Sequence, residues 1–144
     1  MIRKTTVDDC PIIDLGQIQN RAGNITVVEG NDLIPFKVKR VYYLYDVPGG
    51  AERGGHAHRK LYQLIVAASG SFDVKLDDGN LKKLVCLNRP SEGLLVKPGI
   101  WREIVNFSSG SNCLVLASEL YDEKDYIRIY RKFLNYKKSN APKV

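Results

Sequence analysis

From Ile25 to about Ser118 the apolar residues fall in short runs rather than at helical spacing. The runs are NITVVEG, FKVKRVYYLYDV, YQLIVAASGSFDVKLDDG, LKKLVCLN, GLLVKPGIWREIVNF and NCLVLASEL. Much of this alternates apolar with polar, the period of a strand that buries one face. Turn residues punctuate the runs at Pro48-Gly49-Gly50, Ser69-Gly70, Asp78-Gly79-Asn80, Pro98-Gly99 and Ser109-Gly110. FDVKLDDGNLKKLVCL reads as a hairpin around its Asp-Gly turn. Six or more strands with no helix between them predict a β-sandwich or small barrel. Only DYIRIYRKFLNYKKS, Asp125–Ser139, predicts a helix. It is basic at its end, as a C-terminal turn favours, and Pro142 stops it. Residues 1–20 predict no element.

The same alternation sorts the polar residues. His56 and His58 share one strand face. Arg40, Tyr42 and Leu44 share a face, and Val41, Tyr43 and Tyr45 the opposite one. A sandwich interior favours Leu and Val over Arg, His and Gln. Polar residues on such strands must be paired, exposed or lining a wet cavity.

The 144 residues suit one domain, residues 1–144, long enough to bury a core without staples. No run has the length of a membrane span, and MIRKTTVDDC lacks the apolar stretch of a signal peptide. Cys10, Cys86 and Cys113 are odd in number and far apart, which predicts reduced thiols and a cytoplasmic protein. The net charge of +6 suits an anionic partner. The basic residues are scattered, apart from modest clusters at Lys37–Arg40 and Arg131–Lys138, so a small phosphorylated ligand fits as well as nucleic acid.

Two segments have metal-site spacing. Gly50, His56-Ala57-His58, Gln63 and Gly70 form one; Gly93, Pro98-Gly99, Arg102 and Asn106 form the other. They resemble the two signatures of the cupin superfamily, in which two histidines and a glutamate, with a last histidine, hold a metal. Here Gln63 stands at the glutamate position and Arg102 at the last histidine. An amide is a weak ligand, and a guanidinium offers no lone pair while adding a positive charge. No metal is therefore expected. Histidines in a polar cavity with nothing to ligate suit acid–base work instead.

A closer resemblance rests on PFKVKRVYYLYD (Pro35–Asp46), RGGHAHRKLYQ (Arg53–Gln63), LDDG (Leu76–Gly79), VKPGIWREI (Val96–Ile104) and LASELYDEKDYIRIY (Leu116–Tyr130). Together they resemble the sugar-nucleotide 3,4-ketoisomerases, cupins that act on dTDP-4-dehydro-6-deoxy-D-glucose (the dTDP-4-keto-6-deoxy sugar). The resemblance implies an all-β cupin jelly roll with a short C-terminal helix. It further implies a homodimer with exchanged N-terminal strands, residues 125–138 as a C-terminal extension, no cofactor, and no nucleic-acid or membrane partner. By the same resemblance His58 is the expected base and His56 the second acid/base. Tyr43 is expected to donate to the sugar oxygens, with an ordinary core tyrosine as the alternative. Arg40, Arg53, Gln63 and Arg102 are the expected substrate-binding residues. Trp101 is expected to pack at the barrel mouth. Tyr121, Asp122, Asp125, Tyr126 and Arg128 are expected to form a clasp or dimer contact. Trp101-Arg102 resembles the branch whose product is glucose-configured, although Ala22, with Arg21 beside it, departs from that branch. The competing functions are another metal-free sugar-nucleotide cupin, such as an epimerase with a histidine–aspartate pair, and a sugar-binding cupin without chemistry.

Overall fold

The computed structural model describes residues 5–139. Its elements are β1 (Ile12–Asp14), β2 (Arg40–Leu44), β3 (Arg53–His58), β4 (Gln63–Ser69), β5 (Phe72–Asp77), β6 (Lys82–Leu87), β7 (Glu92–Val96), β8 (Trp101–Val105), β9 (Asn112–Ala117), β10 (Tyr126–Ile127) and α1 (Tyr130–Ser139). The strands form two antiparallel sheets, ordered β1-β7-β4-β9-β2 and β10-β3-β8-β5-β6. This is the jelly-roll sandwich with a short C-terminal helix that the alternation and the resemblance predict. No helix among the described residues is long and apolar enough to cross a membrane.

Period-two burial builds the core. Ile65, Phe72, Val74, Leu94, Ile104 and Val115 meet between the sheets. Their neighbours in sequence face outward, and on the first sheet that outer face is also covered. Leu15, Ile34 and Phe36 pack there against Leu64, Val66 and Leu95, so β4 is buried on both faces. The predicted hairpin is present, Asp77 pairing with Lys82. Asp78 caps its turn by accepting the amides of Asn80 and Leu81, and it also holds the distant Val7 amide.

Two predicted elements differ. NITVVEG forms no strand; around it only the isolated bridges Ile18↔Ile25 and Gly30↔Ile34 occur. Its partners are single residues close by in sequence rather than a sheet strand, and Val28 serves as cover for the second cluster. The helix begins at Tyr130 rather than Asp125. Tyr126 and Ile127 pair with His58 and Ala57, because the period-two DYI fits the open edge of β3 before the helical RKFLNYKK begins. α1 then seats Phe133 against Ala57, Trp101 and Ile127. Trp101 therefore lies under the helix, 5.3 Å from Tyr130 and 5.8 Å from Phe133, and not in the barrel mouth.

Candidate active site

The residues that face inward change character along three strands. β2 presents Arg40, Tyr42 and then Leu44; β4 presents Gln63, Ile65 and Ala67; β8 presents Arg102 and Ile104. Register aligns the polar ends. Arg40 and Gln63 both pair with Ala117, and His56 pairs with Arg102. Ala117 is the smallest side chain that could flank Arg40 and Gln63, so it leaves them room. One end of the sandwich is thereby apolar and the other holds a polar cavity of about 290 Å³. Arg40, Tyr42, Leu44, Arg53, His56, Arg102, Tyr121, Tyr126 and Arg128 line it.

A hydrogen-bonded triangle forms the floor. Arg102 Nε donates to Gln63 Oε1 at 2.6 Å, and its Nη2 donates to the Tyr42 hydroxyl at 3.0 Å. Gln63 Nε2 donates to the same hydroxyl at 2.9 Å. The Tyr42 oxygen accepts twice, so its own proton is free to donate. Gln63 and Arg102 are 1% and 2% exposed. The two residues that stand in metal-ligand positions are thus tied to each other. Their chemistry does not fit a metal, and among the described residues no three His, Cys, Asp or Glu side chains gather as ligands.

Several buried nitrogens have no protein partner: Nε2 of His56 and of His58, Nε and Nη2 of Arg40, and Nη1 of Arg102. Two guanidinium groups, which only donate, give this region the chemistry to hold an anionic, oxygen-rich group, and two imidazoles lie beside them. Burial first, and then Arg102, His58 and Arg128, push the His56 pKa down to about 2. Burial also lowers that of His58, against the pull of Asp125. Both rings are neutral at pH 7.

The second signature fixes the histidine strand. Gly99, at φ +82°, donates its amide to the His58 carbonyl at 2.8 Å. Such a backbone angle favours glycine. The C-terminal segment closes the other side. Tyr126 lies 4.3 Å from the His58 ring and 5.0 Å from that of His56. Arg128 stacks over Tyr126 at 4.2 Å and is held by Glu123 at 2.6 and 2.9 Å. Asp125 Oδ2 lies 3.1 Å from His58 Nδ1.

Comparison with known proteins now narrows the reading. The profile of the FdtA family, described as WxcM-like, C-terminal, matches residues 8–138. The chain belongs to this family. A TDP-4-oxo-6-deoxy-alpha-D-glucose-3,4-oxoisomerase of Aneurinibacillus thermoaerophilus is 46% identical over 125 residues, 87% of this chain and 90% of the relative. Among solved structures, the WlaRB TDP-quinovose 3,4-ketoisomerase of Campylobacter jejuni is 43% identical, with a TM-score of 0.86 over 90% of this chain and 99% of that one. QdtA, a sugar 3,4-ketoisomerase of Thermoanaerobacterium thermosaccharolyticum solved in complex with TDP, is 40% identical. Its TM-score is 0.90 over 93% of this chain and 98% of that one.

Within this FdtA-family fold, Arg40, His56, Gln63 and Arg102 gather at one site, and Arg53 stands exposed at its mouth. A break in register between Arg53 and His56 is what lets Arg53 reach the cavity. His58, 4% exposed, sits one layer deeper, its ring 4.8 Å from that of His56. Tyr43 is a correction. It is 56% exposed on the outer face of β2, next to Tyr45. Strand parity gives the cavity Tyr42 instead: alternation places it on the face of Arg40 and Tyr43 opposite, and the resemblance pointed to the wrong member of the doublet. Asp125 was missed as a site residue. Its partner is 67 positions away, so local spacing carried no signal.

Proposed function

We propose that this chain is a TDP-sugar 3,4-ketoisomerase that converts TDP-4-keto-6-deoxy-D-glucose to its 3-keto isomer. What carries the reading is the cavity: unpartnered imidazole nitrogens beside unpartnered guanidinium groups, in a family whose characterised relatives catalyse this reaction. The chemistry follows from the groups present. His58 takes the proton from C3, which the C4 carbonyl acidifies. The C–H electron pair forms the C3–C4 double bond, and O4 becomes an oxyanion. Arg102 Nη1 and the free Tyr42 proton stabilise that charge. A proton passes from O3 to O4, C4 is protonated, and the carbonyl is left at C3. No electrons are gained or lost, so the step needs no cofactor. His56 relays between the sugar oxygens. Arg40 and Arg53 hold phosphate or sugar oxygens.

We further propose a glucose-configured product, as Arg102 after Trp101 and the likeness to WlaRB support. C4 must then receive its proton on the face opposite the one His58 serves, and Tyr42 is the donor we assign. Arg21 and Ala22 sit in an exposed turn outside the cavity lining. The test is incubation of the purified protein with TDP-4-keto-6-deoxyglucose and NMR assignment of the product after transamination. Large H3–H4 and H4–H5 couplings are expected; an equatorial H4 with small couplings shows the galacto product. Failure to exchange substrate hydrogen for solvent deuterium leaves a binding protein.

For assembly we propose a single cupin domain that forms a cytoplasmic homodimer. Free thiols at Cys10, Cys86 and Cys113 support the compartment. β2 is a sheet edge whose outer face exposes Val41, Tyr43 and Tyr45, an apolar strip suited to a second copy. β1 pairs with β7 within the chain; an exchanged dimer makes the same pairing between copies. Tyr43→Arg is expected to shift the mass measured by light scattering from dimer toward monomer.

A further inference from the structure

We propose that Asp125 is the positioning residue that makes His58, rather than His56, the base of the site. The inference rests on the isomerase reading above. Both imidazoles are buried, their rings lie 4.8 Å apart and both feel Arg102, yet only His58 has a carboxylate against its ring. That carboxylate cannot swing away easily. Its Oδ1 accepts the Lys60 amide at 2.7 Å and its Oδ2 the Leu61 amide at 3.3 Å. Burial opposes ionisation of Asp125, but the bonds from His58 and the Lys60 amide hold its carboxyl below the usual range.

An ionised carboxylate only accepts, so the proton between the two residues resides on His58 Nδ1. Nε2 then keeps its lone pair, and that atom has no protein partner. When Nε2 takes the C3 proton, the imidazolium forms against Asp125, which stays ionised, and Nδ1–H stays in place. His56 has no such counter-charge and faces Arg102 and Arg128. The backbone makes the arrangement durable: the Arg59 amide donates to the Asp125 carbonyl, and Tyr126 pairs with His58. The C-terminal segment thereby assigns separate roles to two otherwise similar histidines.

The groups facing His58 are His56 on its own strand, Arg102 on β8, Arg40 on β2, and Glu123, Asp125 and Tyr126 of the C-terminal segment. Only Asp125 raises its pKa by a direct bond, so Asp125→Asn should move the acid limb of the kcat/KM–pH profile to lower pH. Asparagine can also donate to Nδ1 and flip the ring to the Nε2–H tautomer. Loss of the base function costs about 10²–10⁴-fold in kcat. Asp125→Glu, which keeps the charge, should recover part of this.

The chain has two histidines, so long-range ¹⁵N–¹H NMR of untagged protein reads both rings, assigned with His56→Asn. We expect the Nδ1–H tautomer for His58 in the wild type and Nε2–H in Asp125→Asn. A wild-type His58 in the Nε2–H form overturns the proposal without any Asp125 variant. So does Asp125→Asn with unchanged kcat and an unmoved acid limb. A wild type with the expected tautomer but no turnover of TDP-4-keto-6-deoxyglucose supports the positioning by Asp125 and sinks the isomerase reading instead.

Discussion

The two ends of the sandwich are built on the same strands and obey different rules. At the apolar end Phe72, Val74, Ile104 and Val115 close on one another, and Phe72 stacks on Phe107 at 5.5 Å. At the other end His56, His58 and Arg102 are buried and Arg40 is half-buried, each with buried nitrogens that have no protein partner. The first end stabilises the protein by removing apolar surface from water. The second costs stability, because buried polar groups without partners are expensive until a ligand supplies them. The proposed site occupies the end where folding is least satisfied.

That contrast can be broken from either side. His58→Asn is expected to lower kcat by about 10²–10⁴-fold, with TDP affinity and melting temperature held or slightly raised. Near wild-type turnover in this variant would move the base to His56. Phe72→Ala is the mirror experiment. Truncating a fully buried phenylalanine should cost about 3–5 kcal/mol in a denaturant titration, with kcat unchanged at temperatures where the protein stays folded. Arg40→Met should raise KM by about 10–100-fold, the range of one lost charge-assisted contact of about 1.5–3 kcal/mol, and leave most of kcat.

Acid gives a smaller and more specific effect. The folded-state pKa of His56 lies near 2, below its ordinary 6.5, so the unfolded chain binds its proton first as pH falls. Stability contributed by the neutral ring is whole above about pH 6.5. It is lost as pH drops below that, at up to about 1.4 kcal/mol per pH unit for this one proton. His58, whose pKa is also lowered, adds in the same direction. Asp78, Asp125 and Glu123 have lowered pKa values and contribute only further down. Melting temperatures measured between pH 6.5 and 5 should therefore fall less steeply in His56→Asn than in wild type. The smallest expected effect is that of EDTA, which should leave turnover unchanged, since Gln63 and Arg102 are bonded to each other where a metal would need ligands. Activity abolished by EDTA and restored by one divalent ion would reverse that reading.

The sequence by itself determined the strands, the hairpin and the chemistry of the polar end. Alternation is a local property, so β2 and β4 to β9 could be read from the apolar runs, and the shared face of His56 and His58 from their spacing. Residue type alone also argued against a metal, because neither Gln63 nor Arg102 can replace the ligands they displace. Tertiary structure decided what local pattern leaves open. NITVVEG has the alternation of a strand but makes only isolated bridges, and DYI, inside a helix-like stretch, met the free edge of β3 and became β10. Which face of β2 meets the cavity depended on its pairing with β9, and the contact of Asp125 with His58 on the pairing of two segments that lie 67 residues apart in sequence. A contact of that kind is a property of the fold, since loop closure brings together residues whose separation in the chain encodes nothing about their distance.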